Sequence, residues 1–250
     1  MCSIAKRMVW FVPFVTCTHL LYAQFYTHRY EAGLSGGSFI YQGDLTPSDV
    51  GSYETMMPNI GFFAARILNR SFSLRVNFTF GRLKGDDALY EKPEYRRQRN
   101  FNFATPVTEL SGMVVWNMLA RNGKEQPVRF SPYVFAGAGV SLLRINRNWS
   151  NYNAAYFNSE SISAGLATDI AHRTPRAAMV LPTGIGLKYA LTRNLSLAAE
   201  TGYRFMFTDY LDGFSEGANP RKRDSYHGHS LGLIFLLGYK DRNDCPVVRL

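Results

Sequence analysis

The sequence predicts an all-β protein, an eight-stranded antiparallel transmembrane β-barrel. Three observations carry that expectation: strict alternation of apolar and polar residues, eight segments that repeat it, and connections that alternate between short and long. The clearest segment is 72–80, Phe-Ser-Leu-Arg-Val-Asn-Phe-Thr-Phe. Successive side chains of a strand point to opposite faces. Phe72, Leu74, Val76, Phe78 and Phe80 therefore share one face, and Ser73, Arg75, Asn77 and Thr79 the other. A soluble β-sandwich would bury the apolar face. A membrane barrel turns it to lipid and fills its lumen with the polar one.

The eight candidate strands are 30–42, 58–68, 72–83, 107–119, 132–143, 179–191, 195–207 and 226–239. In the seventh, Leu195, Leu197, Ala199, Thr201, Tyr203, Phe205 and Phe207 oppose Ser196, Ala198, Glu200, Gly202 and Arg204. In the eighth, Leu231, Leu233, Phe235, Leu237 and Tyr239 oppose Ser230, Gly232 and Gly238. Asn69-Arg70-Ser71 and Thr192-Arg193-Asn194 make short turns, and 121–129 contains the turn dipeptide Asn122-Gly123. The connections 43–57, 84–106, 144–178 and 208–225 are longer. Short periplasmic turns and long extracellular loops are the pattern of outer-membrane barrels, and an even strand count returns both termini to the periplasm. Closure also removes unpaired sheet edges. Phe80, Trp116, Phe207 and Tyr239 fall near strand ends, where aromatic girdles form. Residues 230–237 resemble the C-terminal assembly signal of outer-membrane proteins, although they stop short of the chain end.

Lys6 and Arg7, the apolar run 8–21 and Tyr22-Ala23-Gln24 read as a secretory signal peptide over 1–23. Pro13 and His19 interrupt the run, which is too short for a spanning helix of roughly 20 residues. A lipoprotein acylated at Cys17 is the weaker reading, because Val15-Thr16 makes a poor lipobox. The barrel then occupies 24–239 and a periplasmic tail 240–250. Net charge falls from +9 to +7 when Lys6 and Arg7 leave, since no acid precedes Gln24. For an exported chain this basic balance points to anionic lipid or lipopolysaccharide phosphate and not to nucleic acid. A mean hydropathy of −0.17 is compatible with a barrel, whose lipid contact is hidden in alternation.

In a narrow lumen, charges of both signs must pair. Arg75, Lys188 and Arg204 are placed to neutralise Glu109 and Glu200, as a structural plug and not a conducting path. His227 and His229, at i and i+2, would share a face of the last strand, but no third ligand lies near, and solvated loop-end histidines are the default. Asp209, Asp212 and Glu216 lack the EF-hand spacing of a calcium loop. Arg221-Lys222-Arg223 could meet lipopolysaccharide phosphates if its loop is extracellular. No G-x-S-x-G elbow, Walker loop, zinc helix or dinucleotide fingerprint is present. The expectation is a non-enzyme without metal or cofactor. Gly36-Gly37 reads as close backbone approach in the first strand.

Of three cysteines, Cys2 and Cys17 lie in the signal, which leaves Cys245 without an internal partner. In an oxidising compartment it is a free thiol or half of an intermolecular disulfide. The tail carries Lys240, Asp241, Arg242, Asn243 and Asp244, and the 121–129 turn carries Arg121, Lys124 and Glu125. Together these offer the largest charged docking surface expected at the periplasmic end.

Two regions resemble a known family. Gly36-Gly37-Ser38-Phe39-Ile40-Tyr41-Gln42-Gly43-Asp44-Leu45 ends the first strand. Leu181-Pro182-Thr183-Gly184-Ile185-Gly186-Leu187-Lys188-Tyr189, Glu200-Thr201-Gly202-Tyr203-Arg204 and Phe207-Thr208-Asp209-Tyr210-Leu211-Asp212 cover the sixth and seventh. These are similar to the PorG-like outer-membrane barrels of the Bacteroidota type IX secretion system, over most of the mature chain and its Cys-Pro tail. Where that family continues Tyr-Leu-Asp-Asp-Val-Ser, this chain has Gly213-Phe214-Ser215 after Asp212. The resemblance implies a non-enzymatic component that anchors or assembles a periplasmic ring of lipoprotein and partner subunits. Cys245 would be the covalent tether, with Arg121, Lys124, Lys240 and Arg242 as contacts. The alternatives are a narrow porin-like barrel without ring partners and a lipid-modifying barrel enzyme.

Overall fold

A computed structural model describes residues 30–48, 50–119, 122, 129–157, 160–219 and 224–238. Its strands are β1 (Tyr30–Gln42), β2 (Met57–Ile67), β3 (Phe72–Asp86), β4 (Asn102–Asn117), β5 (Phe130–Leu143), β6 (Asn146–Asn148), β7 (Ala177–Ala190), β8 (Leu195–Met206) and β9 (Ser225–Leu237). Every pairing is antiparallel, in the order β3-β2-β1-β9-β8-β7-β5-β4, and β3 pairs with β4 to close the ring. The short β6 only continues β5 along the start of β4, pairing Asn148 with Asn102. Among the described residues, then, eight strands make a closed antiparallel barrel.

Solvent exposure decides between the sandwich and the barrel. Val76 is 57% exposed, while its neighbour Arg75 is 2% exposed. Phe72, Leu74, Phe78 and Phe80 are likewise exposed, and Ser73 and Thr79 are buried. The apolar stripe faces outward on the other strands too, at Leu110, Val114, Val140, Ile185, Leu197, Leu231 and Phe235. Such a wall is stable only in lipid, where every backbone donor finds its partner on the next strand. No helix among the described residues is long and apolar enough to cross a membrane. Tyr30, Phe72, Trp116 and Phe130 form an exposed aromatic ring at the short-turn end. Phe130 packs against Tyr189 with ring centroids 4.9 Å apart.

The hydrophobic core sits at the long-loop end. Phe39, Tyr41, Leu45, Leu83, Phe101, Phe103, Leu211, Phe214 and Tyr226 pack there in one cluster, with Phe101 stacked on Phe214 at 4.4 Å. Two α-helices lie in the loops at this end, α1 (Tyr95–Arg99) and α2 (Glu160–Ala171). The helix α2 lies within the connection read from sequence as plain loop, and its Leu166 joins the cluster. Gly165 lets α2 approach the opposite loop, since a Cβ there would lie 2.2 Å from the Glu216 carbonyl oxygen.

The third and fourth strands are longer than the alternation indicated. β3 runs on to Asp86 and β4 begins at Asn102, five residues before the expected start, with Asp86 opposite Asn102 and Lys84 opposite Ala104. This extension carries Lys84, Asp86 and Asn102 and breaks the apolar stripe, as a hairpin does once it rises beyond lipid. The remaining strand ends coincide with the expected ones or differ by one or two residues. The expected last residue, Tyr239, lies outside the described residues, as do the segments expected to form the signal peptide and the tail.

Candidate functional site

The lumen is crossed by three ion pairs. Arg75 Nη1 of β3 lies 2.6 Å from Glu200 Oε1 of β8, and Lys188 Nζ of β7 lies 2.8 Å from Glu31 Oε2 of β1. Arg204 Nε of β8 lies 3.4 Å from Glu109 Oε2 of β4. In the strand order, β3 and β8 are four steps apart in a ring of eight, so the first pair spans the bore. The other two pairs each link strands three steps apart.

Tyrosines and aromatic faces complete the network. Tyr133 donates to Glu200 Oε1 at 2.5 Å and Tyr226 to Glu109 Oε2 at 2.9 Å, while Ser111 donates to Glu109 Oε1 at 2.9 Å. The Arg75 guanidinium lies 4.0 Å from the Phe63 ring centroid, and that of Arg204 lies 5.0 Å from Phe39. These contacts matter because an ion out of water is stabilised only by close, well-oriented partners. Of the lumen charges singled out in the sequence, Arg75 meets Glu200 and Arg204 meets Glu109, whereas Lys188 pairs with neither of those acids and takes Glu31. Its signal was the alternation of Glu31, Gly33, Ser35 and Gly37 down the inward face of β1.

The short-turn end is tied by side-chain amides. Asn117 Nδ2 donates to Asn122 Oδ1 at 3.1 Å and to Ser131 Oγ at 2.8 Å, and the Asn122 backbone N–H donates to the Arg70 carbonyl at 3.0 Å. The β4–β5 turn is thereby anchored to the β2–β3 turn. Arg121, Lys124, Lys240, Arg242 and Cys245 lie outside the described residues, as does the run Arg221-Lys222-Arg223. The described residues include no cysteine, and no disulfide occurs among them.

The long-loop end is capped by buried charge. Asp87 receives Arg99 Nε at 2.6 Å and Arg96 Nη1 at 3.2 Å, and both arginines also reach the Asp44 carbonyl. Tyr41 Oη lies 2.7 Å from Asp212 Oδ2 and 2.6 Å from Asp224 Oδ1. Burial, reinforced by Asp44, pushes the Asp212 carboxyl well above the usual carboxylate range. Burial, reinforced by Asp212, does the same to Asp224. Asp209, Asp212 and Glu216 form no shared oxygen cage: Asp212 turns to Tyr41 and the Phe214 N–H, and Asp209 takes the Ser215 hydroxyl. Among the described residues no three His, Cys, Asp or Glu side chains are arranged to hold a metal.

His227 and His229 share a face, as their spacing implied, but they are not solvated loop-end residues. Both lie within β9 on the outward wall, in line with Leu231, Leu233 and Phe235. The expectation for Gly36-Gly37 holds at one of the two positions. A Cβ on Gly37 would lie 2.0 Å from the His229 carbonyl oxygen, whereas Gly36 has no atom within 4 Å of that position.

An apolar outer wall, a bore bridged by ion pairs and a capped mouth define a β-barrel protein of the outer-membrane type. Residues 6–234 match the family described as "Domain of unknown function (DUF6089)", and the chain belongs to that family. Solved structures with the same barrel fold include Neisserial surface protein A, 15% identical, with 83% of this chain and 97% of that one covered and a TM-score of 0.46. OprG from Pseudomonas aeruginosa is 8% identical, with 85% and 98% covered and a TM-score of 0.45. Ail of Yersinia pestis, solved with the heparin analogue sucrose octasulfate, is 14% identical, with 84% and 99% covered and a TM-score of 0.43. A comparison with curated proteins found no match.

Proposed function

We propose that this barrel sits in the outer membrane as a non-enzymatic component of the type IX secretion machinery. In this reading both termini lie in the periplasm, and the short-turn end anchors or helps assemble a ring of periplasmic lipoprotein. The observation that supports it most is the bridged lumen. A bore crossed by Arg75–Glu200, Lys188–Glu31 and Arg204–Glu109 is built for rigidity and not for solute passage, so its work falls to its surfaces and ends. The amide-tied turns at Asn117 and Asn122 give the short-turn end a fixed shape for a partner. The similarity of 36–45, 181–189, 200–204 and 207–212 to PorG-like barrels supports the secretion role.

Cys245 is the proposed covalent tether, with Arg121, Lys124, Lys240 and Arg242 as the surrounding contacts. The test is electrophoresis of native outer membranes with and without reductant, comparing wild type with Cys245→Ser. A heavier band that disappears with reductant and in the mutant, and that contains a periplasmic lipoprotein by mass spectrometry, is the expected result. A single monomer band in every lane removes the tether, and a pull-down that then returns no ring subunit removes the secretion role.

A further inference from the structure

The outer wall breaks its own rule at one place. Across β5, β7, β8, β9 and β1, one register row reads Val134, Ile185, Thr201, His229 and Ser38, and the next toward the long-loop end reads Ala136, Thr183, Tyr203, His227 and Ile40. Ser38, Thr183, Thr201, Tyr203, His227 and His229 thus gather polar groups on a face that is largely apolar. Hydrocarbon offers them no hydrogen bonds, so polar groups here need partners.

Part of the partnership comes from the connection 43–56, which folds back over the wall. Ile40 occupies an outward position yet is fully buried, and Gly51, at φ +82°, lies against the Tyr41 carbonyl and the Ile40 side chain. Tyr53 follows, and its ring stacks on His229 at 6.2 Å with planes 8° apart. The Tyr53 hydroxyl lies 3.4 Å from His229 Nε2, and Thr201 Oγ1 lies 2.9 Å from His229 Nδ1. One imidazole thereby links two hydroxyls. A hydroxyl can donate once and accept twice, so both retain capacity for a further partner.

Two open grooves lead away from this cluster, and they share Ile185 and Thr201. One, of about 750 Å³, starts at His229 and passes Gly36, Ala199, Leu187 and Leu231 toward Met118 and Pro132 at the short-turn side. The other, of about 720 Å³, starts at His227 and passes Ile185 and Val134 toward Trp116. The first exists because Gly36 and Ala199 stand in a row whose other members are Leu231, Leu187 and Pro132.

We propose that this wall is a binding site for a membrane lipid of the leaflet at the long-loop end, with its ester or amide carbonyls at Thr201, His229 and Tyr53 and its acyl chains in the two grooves. The direction of the grooves selects this occupant, since they are polar at the long-loop side and apolar from there toward the short-turn side, as a lipid whose headgroup lies at the long-loop side is. Depth agrees. His229 is the fifth residue of β9, roughly 13 Å along a tilted strand from its long-loop end. That is where headgroups give way to acyl chains. The site is independent of the secretion reading, because it needs only a membrane barrel.

The test uses the full-length barrel in nanodiscs of phosphatidylethanolamine and phosphatidylglycerol, released into mild detergent and weighed by native mass spectrometry. Wild type is expected to retain bound phosphatidylethanolamine. Ala199→Phe fills the groove without touching the hydrogen-bonded cluster, and the pair Thr201→Val with His229→Leu removes the cluster and leaves the groove. Each should cut the retained fraction about fivefold, the effect of losing roughly one net hydrogen bond or its apolar equivalent. Val76→Phe on another strand serves as the control and should retain the lipid. Heat-dependent gel mobility shows that each variant is folded. A lipid-free wild type overturns the proposal, and so do folded variants that retain as much lipid as wild type.

Discussion

Arg75 and Glu200 meet across the full width of the barrel, 2.6 Å from Nη1 to Oε1, on strands four steps apart around the ring. Strand pairing holds neighbours together and says nothing about the far wall. Strand number and stagger set the diameter of the bore; this contact and its two companions brace it from within, and the aromatic faces of Phe63 and Phe39 cover the guanidinium groups. Arg75→Ala strands Glu200 with only the Tyr133 hydroxyl, and breaking a buried pair from one side costs about 3–5 kcal/mol. Replacing both ends, Arg75→Met with Glu200→Leu, should recover most of that loss. Urea unfolding of the barrel in lipid vesicles measures both. A single variant as stable as wild type would mean that the pair contributes no stability.

The wall makes the opposite prediction one residue away. Val76 faces outward beside buried Arg75, so Val76→Arg puts a cation into lipid. Near the midplane this costs about 2–4 kcal/mol. The same change on the exposed face of a soluble protein would be nearly neutral, within about 0.5 kcal/mol. Insertion of the variant into preformed vesicles, followed by denaturant titration, separates the two cases.

Much of this barrel is legible in alternation, because period two needs no knowledge of partners. Phe72 through Phe80 declare both faces of β3 before any pairing is known. The lumen charges follow from the same parity, as Arg75, Lys188, Glu109, Glu200 and Arg204 fall on inward positions. Which acid meets which base does not follow, since it depends on strand stagger across the bore, and Glu31 was overlooked among its glycines. The helix α2 was hidden for a different reason. Its buried face among the described side chains is only Gly165, Leu166 and Asp169, too thin a stripe to show helical periodicity. The histidines of β9 misled because polar residues near a strand end look like a loop. Their register in β9 places them on the wall, and Tyr53 covers them there because its connection folds back over the outside, a tertiary event with no local signal.

Asp169 shows how the thin helix is held. Its carboxylate accepts from the backbone N–H groups of Ser215 at 3.1 Å, Glu216 at 3.1 Å and Gly217 at 2.8 Å. Hydrogen bonds to a charged group contribute about 1.5–3 kcal/mol each, and the amides left behind would be buried without partners. Asp169→Ala is therefore expected to release α2 from the 207–219 loop, at a local cost of at least about 3 kcal/mol. Limited proteolysis should then cut within 160–176 or 207–219 while the strands stay protected. Unchanged cleavage would show that the other contacts, Leu166 in the core and Arg147 on the Ile170 and His172 carbonyls, dock the helix without Asp169.

The mouth carries its own pH dependence. Tyr41 Oη lies within hydrogen-bond distance of Asp212 and Asp224 and also accepts from the Asp44 N–H at 3.0 Å. A hydroxyl has one proton and donates to one carboxylate only. The second contact holds together when the other aspartate is protonated and donates to the tyrosine oxygen. Burial and neighbouring carboxylates push both aspartates up, in line with a shared proton. For a folded value above the unfolded one, the folded state binds more protons. The stabilisation is therefore full below the ordinary carboxylate range near 4 and declines as pH rises through the raised values, by at most about 1.4 kcal/mol per pH unit for each proton lost. Asp224→Asn supplies a permanent N–H to Tyr41, while its amide oxygen can still accept from the Leu211 N–H, which now donates to Asp224 Oδ2 at 3.0 Å. This variant should flatten the dependence and stabilise the mouth at alkaline pH. Trp149, packed edge-on against Phe214 at 6.4 Å, reports melting there by fluorescence in a Trp116→Phe background. A wild-type midpoint that rises with pH would reverse the sign and rule out the shared proton.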